Sequence, residues 1–200
     1  MSAIEYKCNL CGSDRHRILL KSYRTIPDTH LAMYRMCRDC SFVSVDVEFN
    51  EWSPWYSNSL QDMEDSEIRR YAIQETAETW TVINHLLALR KRIPSTVEAI
   101  INGDGKLLAD IGCGAGGSLL AYQAMGWKTV GVEPGKRAGE YARNTLKLNV
   151  GSGDYFESSF PENSLDMIHS YHTVEHVPFP YEFINLFYYH LRPGGFIYIE

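Results

Sequence analysis

The sequence predicts an α/β protein, a doubly wound and mostly parallel sheet flanked by helices, with a small cysteine-rich module in front of it. Three observations predict it. Residues 106–133 read as a strand, a glycine loop, a helix and a second strand that ends on an acid. Short apolar runs then alternate with helical segments as far as Glu200. Four of the five cysteines fall in two C-x2-C pairs near the N-terminus.

The cysteine pairs define the first of three expected segments, residues 1–48. Cys8 and Cys11 form one pair, and Cys37 and Cys40 the other. In a reducing compartment this pattern points to four thiolates on one structural zinc ion, with a disulfide pair or free thiols as the alternatives. His16 and His30 are also ligand types, but four sulfurs complete the shell. Strands are expected at residues 15–21 and 42–47. A unit this small has no core of its own and folds on metal-binding energy.

Residues 49–105 form the second segment. Trp52, Trp55 and Tyr56 crowd a loop around Pro54. Such rings either pack on the core or close over a site and exclude water. A long helix is expected over 62–93, stopped by Pro94, and a short one over 95–101, ended by the turn Asn102-Gly103-Asp104-Gly105.

The third segment, 106–200, opens on the glycine loop. Residues 107–111 are an apolar run suited to a strand buried on both faces. Gly112, Gly114, Gly116 and Gly117 let the backbone turn and approach a ligand closely. Gly112, Gly114 and Gly117 satisfy G-x-G-x-x-G, which alone indicates only a dinucleotide-type turn. Asp110 adds information, because its carboxylate precedes the loop where a pyrophosphate would rest. An anion there disfavours phosphates and tolerates the sulfonium and amino group of S-adenosylmethionine. Glu133, roughly 20 residues on, is placed to accept hydrogen bonds from ribose hydroxyls.

On Asp110-Ile111-Gly112-Cys113-Gly114-Ala115-Gly116 and Val132-Glu133-Pro134, this segment resembles the class I S-adenosylmethionine-dependent methyltransferases. The stretch LRPGGFIYIE at 191–200 adds to the likeness, which covers about half the chain. The resemblance implies a Rossmann-like methyltransferase core with Asp110, Gly112, Gly114 and Glu133 at the cofactor. It further implies that Asp154 meets the adenine amino group and Tyr155 lies along the ring, with a plain turn as the alternative. The whole layout resembles bacterial methyltransferases in which a zinc ribbon precedes the core and the acceptor is a sugar, nucleotide sugar or natural product.

Helices are expected over 136–147 and 179–191, and strands over 148–150, 165–170 and 196–200. Between the last two lies His172-Thr173-Val174-Glu175-His176. This H-x-x-E-H also occurs in zinc hydrolases, but three protein ligands are needed there and few candidates follow. Next to a fourth strand it resembles the rim of a methyltransferase acceptor pocket. His172 and His176 are then the candidate bases, with packing or capping as their alternative role, and Glu175 orients one of them. Folds of this kind run on to a seventh strand, whereas this sequence stops on the fifth. A shortened chain, a homo-oligomer or a partner chain covering that edge is expected.

A net charge of −6 and a pI near 5.6 argue against a nucleic-acid surface. No apolar run reaches the length of a membrane span and no leader pattern is seen, so a cytoplasmic protein with a small-molecule acceptor is expected. Three rivals stay open: an RNA methyltransferase whose zinc ribbon grips nucleic acid, a nicotinamide oxidoreductase, and a non-catalytic cofactor-binding partner.

Overall fold

The computed structural model describes residues 7–24, 30–46, 63–153, 155, 160–177 and 179–200. The aromatic loop at Trp52, Trp55 and Tyr56 and the acid at Asp154 lie outside the described residues.

The N-terminal module is a three-stranded antiparallel sheet in the order β1-β2-β3, with β1 His16–Arg24, β2 His30–Cys37 and β3 Val43–Asp46. The middle strand is missing from the sequence reading, which sees only its two neighbours. Alternating Leu31, Met33 and polar partners make it a weak signal beside the turn that ends it at Cys37.

Helix α1 spans Asp65–Ala88 and α2 spans Pro94–Ile101. The long helix ends five residues earlier than expected, and Pro94 begins the next helix instead of closing this one. Proline fits the first helical turn, whose N–H has no partner to lose, and keeps Ile93 out of the helical conformation (φ −132°, ψ 60°).

A five-stranded sheet follows, in the order β6-β5-β4-β7-β8. Its strands are β4 Leu107–Ile111, β5 Lys128–Glu133, β6 Val150–Ser152, β7 Leu165–Ser170 and β8 Leu191–Ile199. All neighbouring pairs are parallel. Helices α3 Gly117–Ala124, α4 Lys136–Asn144 and α5 Pro180–His190 connect them. This is the doubly wound fold expected of a Rossmann-like core. Strand β8 begins at Leu191, not Phe196. Leu191 pairs with Leu165 and Phe196 with Met167, so Arg192–Gly195 bulges out between them. Gly194 (φ +83°) supplies the left-handed residue this bulge needs.

Each face of the sheet buries its own cluster. Leu108 and Met167 pack with Ile100, Leu119, Tyr122 and Ala142 on the side of α2, α3 and α4. Ala109, Ile111 and Ile168 pack with Phe183 and Phe187 of α5 on the other. The period-2 alternation along β4 therefore sends Asp110 toward α3. The chain winds from β4 outward through β5 and β6, then returns to β7 on the far side of β4. Ligands of such sheets bind at this reversal, outside the carboxyl ends of the strands. Asp166, at the start of β7, stabilises the opposite end: its Oδ2 accepts the Leu107 amide (2.7 Å) and Oδ1 meets Arg192 Nη1 (2.9 Å).

Candidate cofactor site and cysteine cluster

The loop after β4 approaches its neighbours so closely at two glycines that a side chain of its own would clash there. Gly112 and Gly114 have φ of +78° and +54°. A Cβ on Gly112 would lie 2.2 Å from Thr173 Oγ1, and one on Gly114 would lie 2.0 Å from Glu75 Oε1. Glycine is therefore required both by backbone conformation and by close approach.

Three carboxylates surround this loop. Asp110 is 2% exposed, its Oδ1 lies 2.8 Å from His169 Nδ1, and its Oδ2 has no hydrogen-bond partner among the described residues. Glu133, also 2% exposed, accepts the Gly114 amide on Oε2 (2.8 Å) and the Gly135 amide on Oε1 (2.6 Å). Glu75 reaches in from α1 and accepts the amides of Ala115 (3.3 Å) and Gly117 (2.9 Å). Burial pushes the Glu75 carboxyl up to about 8, and the nearby Asp110 and Glu133 charges add to the rise. Burial likewise raises Glu133 to about 7, against the pull of its two amide hydrogen bonds.

The sequence reading assigns no site role to His169, Thr173 or Glu75. Glu75 had a signal: it falls on the helical face of Ile68, Ala72, Thr79 and Ile83, where an acid is out of place. His169 pairs with Asp110 across adjacent strands, in register. That juxtaposition follows from strand order alone. Thr173 donates to the Ile111 carbonyl (3.1 Å) and rests on Gly112, so the turn after β7 covers the loop.

The two candidate bases sit on that turn. Only Val174–His176 is helical, as a single 3-10 turn, so His172 and His176 do not line one α-helical face as a hydrolase zinc site requires. His172 is exposed, with Nδ1 3.3 Å from Glu175 Oε1. Tyr155 lies elsewhere. It is 2% exposed, its ring packs against Phe183, Phe187 and Phe160, and its hydroxyl lies 2.7 Å from His190 Nδ1. This is a core position beneath α5, so we leave Tyr155 out of the cofactor contacts that the sequence resemblance implied for it.

Beside the site is a cavity of about 270 Å³ lined by Glu78, His85, Leu86, Tyr171, Tyr198 and Glu200, among others. Two residues of its wall, Tyr198 and Tyr171, stack on His169 at 5.4 and 6.3 Å.

The four N-terminal thiols converge, with all Sγ atoms within 4.8 Å of one another. Cys8–Cys40 and Cys11–Cys37 are each 3.6 Å apart, too far for disulfides and near the ~3.8 Å that a tetrahedron of ~2.3 Å zinc–sulfur bonds requires. The two knuckles are built alike. Gly12 and Ser41 donate to the carbonyls of Cys8 and Cys37 (2.8 and 3.1 Å), and the Cys8 and Cys37 amides donate to Ser13 and Phe42 (both 2.8 Å). Gly12 and Ser41 both take positive φ, +72° and +63°. Arg15 pairs with Asp39, tying the second knuckle to the foot of β1.

The doubly wound parallel sheet, with its glycine loop ringed by acids at the carboxyl ends of the strands, is a Rossmann-like fold. Residues 109–199 match the family described as a methyltransferase domain. Over 100 residues the chain is 32% identical to a sterol 24-C-methyltransferase of Pneumocystis carinii, covering 46% of this chain and 26% of that one. Over 96 residues it is 29% identical to an uncharacterized methyltransferase of Mycobacterium leprae, covering 46% and 36%. The chain thus spans about a quarter to a third of the length of these relatives. Among solved structures, phosphoethanolamine N-methyltransferase 2 of Haemonchus contortus shares the fold with a TM-score of 0.53 at 20% identity, covering 78% of this chain and 37% of that one. Among the described residues, no helix is long and apolar enough to cross a membrane.

Proposed function

We propose that this chain carries the cofactor-holding core of an S-adenosylmethionine-dependent methyltransferase acting on a small polar acceptor. In this reading residues 1–48 are a structural zinc ribbon, 49–105 a lid and linker, and 106–200 the core. The observation that carries it is the buried Asp110 Oδ2, without a partner among the described residues, beside Gly112 and Gly114, where an added Cβ would clash. A diphosphate brought here would meet the Asp110 carboxylate and hold Glu133 and Glu75 in their protonated forms, whereas a cationic, phosphate-free nucleoside favours the ionised form of all three. The residues present therefore fit this cofactor.

When bound, the cofactor supplies a methyl group on a sulfonium, a good leaving group. The chain's task is alignment and exclusion of water. Asp110, Gly112, Gly114, Glu133 and Asp154 hold the cofactor, and the second lone pairs of the Glu133 oxygens accept ribose hydroxyls. The cavity between α1 and the ends of β7 and β8 takes the acceptor. Glu78 and Glu200 in its wall favour a neutral sugar or natural product over a nucleotide sugar or RNA, whose phosphates they repel. His172, paired with Glu175, takes the proton of a hydroxyl acceptor, with His176 as the second candidate. Cys8, Cys11, Cys37 and Cys40 hold one zinc ion, which braces the ribbon and takes no part in the transfer. The outer edge of β8 pairs with nothing among the described residues, and an added strand from a second copy or a partner chain would complete the sheet.

Calorimetric titration tests the reading. S-adenosylmethionine is expected to bind with micromolar affinity, weakened at least tenfold in Asp110→Asn, while nicotinamide dinucleotides give no heat. Binding of a dinucleotide in place of S-adenosylmethionine would overturn it.

A further inference from the structure

We propose that Glu75 is a charge-selecting residue of the cofactor site, favouring the sulfonium cofactor over its neutral, demethylated product. This rests on the cofactor reading above and adds a residue from outside the core segment.

The geometry places Glu75 on the glycine loop itself. Its carboxylate bridges the amides of Ala115 and Gly117, and its Oε1 occupies the space over Gly114 that a side chain would take. The helix bearing it is fixed there: Thr76 Oγ1 donates to the Gly117 carbonyl (3.0 Å), and Thr79 Oγ1 donates to Ser118 Oγ (3.0 Å). A Cβ on Gly117 would lie 2.2 Å from the Ala72 carbonyl, so α1 cannot be packed any closer. A second observation points independently to a cationic ligand. The Asp110 carboxylate, 2% exposed, keeps one oxygen unpartnered beside the same loop.

The groups facing Glu75 are Asp110 from β4, Glu133 from β5 and Tyr71 from its own helix. His169 faces Asp110 from β7, and the Arg143 charge of α4 acts on Glu133. Burial, and then both neighbouring acids, raise the Glu75 carboxyl to about 8. A cation entering the cluster favours the ionised forms, so its binding releases protons and tightens as pH rises from about 6 to about 8. Loss of the methyl group removes the sulfonium charge, and the same acids then hold the product less well.

The test compares S-adenosylmethionine with S-adenosylhomocysteine by calorimetry on the full chain, in buffers of different ionisation enthalpy. For Glu75→Gln, which keeps an oxygen to accept one loop amide, the preference for the sulfonium ligand is expected to fall about tenfold. Proton release on its binding should also fall. Equal weakening of both ligands, or no change in either, would overturn the proposal and leave Glu75 as a clamp between α1 and the loop. Should Glu75→Gln not fold, the wild-type protein decides: equal proton release with both ligands refutes charge selection. Wild-type protein that binds neither ligand would remove the cofactor reading itself, and this proposal with it.

Discussion

His169 Nδ1 lies 2.8 Å from Asp110 Oδ1, with the two side chains 3% and 2% exposed. The imidazole is wedged between Tyr122, edge-on at 5.2 Å, and Tyr198, stacked at 5.4 Å. Only one Asp110 oxygen is held, so the pair fixes the carboxylate and leaves the other oxygen for a ligand.

His169→Ala strips Asp110 of its one partner, and a buried acceptor left unmade costs about 1–3 kcal/mol. His169→Asn, whose amide can donate to Oδ1, is expected to recover at least half of that loss. Urea unfolding of the three proteins measures both.

Gly112→Ala adds a Cβ at a φ of +78° and only 2.2 Å from Thr173 Oγ1. Thr173 must then give up its hydrogen bond to Ile111. A loss of about 1–3 kcal/mol is expected, with weaker cofactor binding. Combining it with Thr173→Ala should cost less than the two single losses together, because the clash is shared. A double-mutant cycle reads the difference.

The raised carboxyls of Glu75 (about 8) and Glu133 (about 7) make the empty protein's stability fall as pH rises. Both groups start from an ordinary value of 4.5, so the folded chain binds more protons than the unfolded one between these limits. This contribution is fully present below pH 4.5 and is lost as pH rises through 7 and 8. Melting temperatures without cofactor should decline from about pH 5 to about pH 8, and Glu75→Gln should flatten the slope.

Cys37→Ser removes one of four thiolates and is expected to drop zinc from about one ion per chain to a small fraction of that. Elemental analysis reads the metal. Thiol titration gives a second check, because the three remaining cysteines of the cluster should react far faster than in the metal-loaded wild type.

The elements easiest to read were those whose local pattern is also their tertiary environment. Strand β7 falls at residues 165–170 as expected, and β4 at 107–111, because both are short, largely buried segments bounded by turns. Boundaries slipped where a short-range stop competed with another one. Helix α4 ends at Asn144, three residues early, and β6 starts at Val150, two residues late, with Lys147 (φ +59°) turning the chain between them. The expected strand starts only at residue 196, because the glycine pair before it looks the same in a turn as in a bulge.

The sequence by itself determined the thiol quartet, the side-chain-free loop, its flanking acids Asp110 and Glu133, and the alternation that yields a doubly wound sheet. Each is encoded by spacing or by backbone chemistry within a few residues. Only the tertiary structure decided that Glu75 sits on the loop amides, that His169 holds Asp110, and that Tyr155 belongs to the core beneath α5. These contacts join residues that strand order and helix packing bring together, and no local rule of propensity or periodicity reports which distant side chain will arrive.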